Sequence, residues 1–81
     1  MSERRAPPPR KRTFKAGTLE FNRAGGISGI VKNLSESGAM IEVESVIGIP
    51  DDFALVIEAD HFRRSCKVVW RQPAKIGVRF V

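Results

Sequence analysis

Apolar residues in this chain recur at every second position, and no ten-residue stretch carries the 3.6-residue period of a helix, so the chain is confined to sheet. Leu19 and Phe21 alternate with Thr18 and Glu20 in a first strand predicted over Thr13 to Asn22. Ile27 to Asn33 and Gly38 to Glu44 form the next two, rich in the β-branched residues Ile30, Val31, Ile41 and Val43. Phe53, Leu55 and Ile57 share one face of a fourth strand and Ala54 and Val56 the other, which predicts cover on both sides. In a long fifth strand, Phe62 to Arg71, Cys66, Val68 and Trp70 alternate with Lys67, Val69 and Arg71. Ile76, Val78 and Phe80 mark the inner face of a sixth, Lys75 to Val81.

Turn-forming residues separate these runs. Arg23-Ala24-Gly25-Gly26 predicts a turn in which the paired glycines supply positive φ at low cost. Gly48-Ile49-Pro50-Asp51-Asp52, Asp60-His61 and Gln72-Pro73-Ala74 break the pattern further along. Six short strands at intervals of roughly 8 to 12 residues predict a small antiparallel barrel or sandwich, because closure hides sheet edges that so short a chain has nothing else to cover. There is no internal repeat.

Charge divides the chain differently. Residues 1 to 15 hold six basic side chains (Arg4, Arg5, Arg10, Lys11, Arg12 and Lys15) against Glu3, a net charge of +5. The other 66 residues hold eight basic and eight acidic groups, a net charge of zero. The basic character therefore belongs to one end, which with Ala6-Pro7-Pro8-Pro9 reads as a flexible tail over residues 1 to 12 ahead of a domain over 13 to 81. Such a tail suits a phosphate-rich or otherwise anionic partner; the plainer reading is a solubilising terminus.

Eighty-one residues make one domain with a barely sufficient core. The one cysteine, Cys66, has no partner for an internal disulfide, which points to a reducing, cytoplasmic setting. Cys66 and His61 are the only soft ligands, so no metal or other cofactor is expected. The apolar runs fall well short of the ~20 residues of a membrane-spanning helix, and the charged N-terminus has no apolar signal core.

The chemistry concentrates at Asn33-Leu34-Ser35-Glu36-Ser37-Gly38, between the second and third strands. Asn33 offers amide donors and an acceptor, Ser35 a hydroxyl, and Gly38 a backbone that a ligand can approach without a Cβ in the way. The competing reading is a self-contained turn, since Asn and Ser bond their own backbone and Gly supplies positive φ. Trp70 could stack on a base, but its alternation with Cys66 and Val68 predicts a core position. His61 reads as an exposed turn residue, Arg63 and Arg64 as a basic edge or a solvated strand face, and Arg71 and Arg79 as residues bordering a ligand surface. Ser35 and Ser37 have no general base near them in sequence, so hydrolytic catalysis is not expected.

Taken together, Asn33-x-Ser35-x-x-Gly38 followed by Ala39-Met40-Ile41-Glu42-Val43, the Glu3-Arg4-Arg5 to Arg12 opening, and the closing Val69-Trp70-Arg71 to Gly77-Val78-Arg79-Phe80 hairpin resemble the PilZ domain family over nearly the whole chain. The resemblance implies an all-β fold, a six-stranded antiparallel β-barrel of the split-barrel type with no substantial helix. It also implies a receptor for the bacterial second messenger cyclic di-GMP, not an enzyme. The family's two ligand elements are an Arg-x-x-x-Arg motif before the first strand and an Asx-x-Ser-x-x-Gly turn. Asn33, Ser35 and Gly38 match the turn position by position. For the arginines, four residues separate Arg5 from Arg10 where the family has three, so Arg5 and Arg10 form the expected clamp, with Arg4 as substitute.

Arginine suits that role because its planar fork pairs with phosphate oxygens or bidentately with guanine O6 and N7, each good base contact discriminating by about 1 to 3 kcal/mol. The expected mechanism is a tail that orders on ligand binding and alters contacts with a downstream protein. Two alternatives remain: a PilZ-like adaptor that no longer binds nucleotide, and a small barrel that binds RNA or DNA. The second is disfavoured by the lack of an exposed aromatic row.

Overall fold

Six antiparallel strands close on themselves in a computed structural model that describes residues 11–22 and 25–81. They are β1 (Lys11–Asn22), β2 (Gly25–Leu34), β3 (Gly38–Glu42), β4 (Asp52–Ile57), β5 (Phe62–Gln72) and β6 (Lys75–Phe80). Around the barrel their order is β1-β2-β3-β6-β5-β4. The expected six-stranded antiparallel barrel is what forms, and the one helical element among the described residues is a 3-10 turn at Glu58–Asp60.

Alternation dictates the core. Ile41 faces Val31 on one side and Ile76 on the other, and Leu19 faces Leu55 across the β1–β4 seam. All five are fully buried, as are Ile57 and Cys66. Burial of each large aliphatic side chain contributes about 1.5 to 3 kcal/mol. Along β4, Phe53, Leu55 and Ile57 point inward while Ala54 and Val56 are half-buried on the other face.

The turns refine the sequence reading. Residues 23–24 lie outside the described residues, and β2 already begins at Gly25, opposite Asn22. Gly25 has the anticipated positive φ, +123°. Gly26 does not; its missing side chain instead admits the carbonyl of Leu19, which a Cβ would overlap. His61 caps the 3-10 turn in the left-handed region (φ 53°) and is exposed, as expected of a turn residue.

The Arg71 side chain, read as bordering a ligand surface, is held in local contacts. Its guanidinium reaches the loop after β3, donating to the Ile49 carbonyl (2.8 Å) and pairing with Asp51 (2.7 Å). The same loop is fastened to the β5–β6 hairpin by Val43 N–H to Ala74 O (2.8 Å) and Val46 N–H to Pro73 O (3.3 Å). Arg63 pairs with Glu20 (2.7 Å), and the Arg64 guanidinium lies 5.0 Å from the Phe80 ring centroid. Both side chains thus act in local pairings on the strand surface.

Candidate functional site

Ser35, Glu36 and Ser37 join β2 to β3, and the Ser35 hydroxyl organises the connection. Its Oγ accepts from the N–H groups of Ser37 and Gly38, both at 3.2 Å, and lies 3.3 Å from both the Gly38 carbonyl and Ser37 Oγ. Ser35 N–H closes the turn on Gly38 O at 2.9 Å. Phe80 N–H donates to Ser37 O at 2.8 Å, which secures the turn to the end of β6. The self-contained turn chemistry anticipated for a Ser here is therefore present.

Gly38 is required for a different reason than turn conformation. Its φ is not positive, but a Cβ would overlap the Val78 carbonyl, because β3 and β6 pair closely at Gly38↔Arg79. Asn33 is half-buried at the end of β2 and points its Nδ2 towards Met40 Sδ at 3.9 Å, a weak thioether acceptor.

Register carries the site across the sheet. Arg12 is opposite Asn33, Asn33 opposite Met40, Met40 opposite Gly77, and Gly77 opposite Trp70. These pairings form one transverse row over five strands. Register irregularities fall beside it in β1 (Arg12/Lys15), β2 (Val31/Asn33) and β5 (Val68/Trp70). A bulge adds a residue to one strand and re-aims the side chains beyond it. At the β1 irregularity the Thr13 hydroxyl donates to the Val31 carbonyl.

The β5 irregularity overturns the core position expected for Trp70. Cys66 and Val68 keep the inward alternation, with Val68 paired to Val78, but Val69 is the extra residue and Trp70 then pairs with Gly77. Both lie at the surface, Val69 61% and Trp70 39% exposed. The indole covers Gly77, where any Cβ would collide with it.

Between the row and the turn lies a small concavity of about 200 Å³ lined by Ser35, Ser37, Gly38, Met40, Trp70 and Arg79. Arg79 is exposed beside Gly38 and forms no ion pair with another described residue; nor does Arg12. Lys67, next to Arg79 across β5–β6, is held by Asp52 at 3.0 Å. The concavity thus joins hydrogen-bonding groups, an exposed indole and a guanidinium. Groups of these kinds are chemically suited to a planar, anionic ligand, and among the described residues the sole histidine, His61, lies away from them in the turn before β5.

Ser35 and Gly38 meet in the turn and line this concavity, whereas Asn33, its amide directed at Met40, is not among the lining residues. Arg4, Arg5 and Arg10 lie outside the described residues. The sequence reading missed Arg12 and Met40, whose places in the row depend on bulges that alternation does not reveal.

A larger concavity lies elsewhere, a groove of about 960 Å³ beside β1 that includes none of Asn33, Ser35 and Gly38. The chemistry of the turn outweighs the size of the groove in assigning the candidate site.

A family model described as PilZ domain matches residues 3–81. Neither the curated proteins nor the solved structures include a match to the chain. Together with the six-stranded barrel and the Asn33-to-Gly38 turn, a match of this extent places the chain in the PilZ domain family.

Proposed function

We propose that the chain is a cytoplasmic receptor for cyclic di-GMP, the ligand for which PilZ domains are known, and that it works as a binding module and not as an enzyme. The observation that carries this reading is the bulge-aligned row ending in an exposed Trp70, beside Ser35, Gly38 and Arg79. Guanine presents a π-face that stacks on an indole for about 1 to 3 kcal/mol, and a Watson–Crick edge that amide and hydroxyl groups recognise. Asn33 serves that edge. Ser35 holds the turn with its lone pairs and swings its single O–H to a phosphate. Arg79 and Arg12 supply positive charge at the two sides of the surface.

Arg5 and Arg10, with Arg4 as substitute, complete the site from the N-terminal segment by pairing with phosphate and guanine. The extra residue between Arg5 and Arg10 displaces an extended chain by about 3.3 Å, which a segment that orders on binding absorbs. Lys11 and Arg12 already belong to β1, so it is ordering of residues 1–10 that presents a new surface to a downstream protein.

Titration calorimetry of the full chain with cyclic di-GMP tests the reading. The expected result is micromolar binding, near −8 kcal/mol, that Arg10→Ala weakens by at least about tenfold. No heat at about 100 μM ligand would remove nucleotide binding. It would favour a PilZ-like adaptor acting through protein contacts alone, the alternative suggested by the longer arginine spacing.

A further inference from the structure

We propose that the open half of the β1 edge is a strand-addition site for an extended basic segment of a partner protein, a function separate from nucleotide binding. Barrel closure uses very little of β1. Of its span Lys11–Asn22, only Thr18, Leu19 and Glu20 pair with β4. Beyond Ile57 the chain leaves β4 through the 3-10 turn Glu58–Asp60, so Lys11 to Gly17 have no strand on that side among the described residues. An edge of that length presents a row of main-chain donors and acceptors to another extended chain.

The groove of about 960 Å³ opens beside this edge, between Phe14–Thr18 of β1 and Glu58–Asp60, and continues past Ser28–Ile30 of β2 to Glu42–Glu44. Ala16, Gly17 and Ala59 leave room beside the edge, and Ile30, Val56 and Phe14, the last 74% exposed, give the groove apolar walls. Its charge is one-sided: Glu42, Glu44, Glu58 and Asp60 line it against Lys15 alone. Glu42 is paired with Lys32 at 3.6 Å and Asp60 with Lys15, whereas Glu44 and Glu58 pair with no described residue. Because residues 16 to 81 carry no net charge, this acidity is local to the groove. The Lys15–Asp60 pair bridges the gap and blunts the edge against neutral strands. A basic strand can replace it, taking Asp60 while its backbone pairs with β1.

The occupant defined by these features is extended, with basic side chains alternating with small apolar ones. Main-chain pairing tolerates sequence variation, so a model peptide suffices as probe: a capped hexapeptide alternating lysine and valine, added at about 1 mM to the full chain. Proton–nitrogen NMR should show shifts and slowed amide exchange from Phe14 to Thr18 and at Ala59. Binding should weaken about tenfold in the Glu44→Lys/Glu58→Lys double variant, whose spectrum elsewhere stays native. The matching peptide of glutamate and valine should leave these amides unmoved.

No change along β1, equal binding of the acidic peptide, or shifts confined to Ser35–Gly38 would overturn the proposal. Concentration-dependent shifts of the same amides without peptide would also overturn it, by assigning the edge to a second copy of the chain. The probe contains no nucleotide and the readout lies outside the turn, so either outcome leaves the cyclic di-GMP reading to its own test.

Discussion

The indole of Trp70 occupies the volume that a side chain at Gly77 would need, and this pairing across β5 and β6 sets the exposed aromatic at the edge of the turn. Gly77 is glycine because of its neighbour, since its φ is not positive. Gly77→Ala must therefore tilt the indole or part the strands, an overpacking cost of about 1 to 3 kcal/mol. Denaturant unfolding followed by tryptophan fluorescence should show that loss together with a shifted native emission. Trp70→Ala should leave the fold largely intact, because the ring is not in the core, while weakening cyclic di-GMP binding about tenfold or more.

Two glycines separate steric need from backbone need. At Gly38 an alanine Cβ would meet the Val78 carbonyl of the paired strand, whereas at Gly48 (φ +89°) it would meet nothing within 4 Å and incur only conformational strain. Gly38→Ala should cost more than Gly48→Ala, roughly 2 to 3 kcal/mol against about 1 kcal/mol in chemical denaturation. Equal costs would show that β3 and β6 separate easily at this point.

Ser35 and Asn33 should divide stability from binding. Removing the hydroxyl in Ser35→Ala leaves the Ser37 and Gly38 N–H groups without their shared acceptor, a loss of about 0.5 to 1.5 kcal/mol in thermal or urea unfolding. The corresponding contact of Asn33 is a weak one to Met40 Sδ. Asn33→Ala should change stability by less than about 0.5 kcal/mol yet lower ligand affinity, as calorimetry would show.

Burial pushes the Cys66 thiol up from its ordinary 9.0 to about 11, outweighing the opposing effects of a hydrogen bond from the Leu55 backbone and the charge of Arg64. Between those two values the unfolded chain releases the thiol proton while the folded chain keeps it. This contribution to stability is complete below pH 9 and declines as the pH rises towards 11, a loss on the order of 2 kcal/mol. Urea midpoints measured from pH 8 to 11 should fall more steeply for the native chain than for Cys66→Val, which has no thiol to ionise.

The strand pattern was legible because inward positions such as Leu19, Ile41, Leu55 and Ile76 obey a strict period of two and are all fully buried. Ser35 and Gly38 were legible as partners because they close one short turn, whereas the direction of the Asn33 amide, towards Met40, follows from register. Trp70 was misplaced for a physical reason: one extra residue at Val69 turns the indole out of the inward alternation, and local composition does not reveal it. Gly26 was read as a conformational glycine and Gly38 as an opening for a ligand or, alternatively, a turn glycine, although each accommodates the backbone of a neighbouring strand. Close approaches of this kind depend on register, and register on where the bulges fall.

The most direct test of the site is proton–nitrogen NMR of the full chain titrated with cyclic di-GMP. The predicted result is a saturable shift of the Ser35 to Gly38 amides, Met40, Gly77 and the Trp70 indole N–H, with new dispersed signals from residues 4 to 10. A spectrum unchanged at saturating ligand, or shifts that bypass both the turn and Trp70, would contradict it.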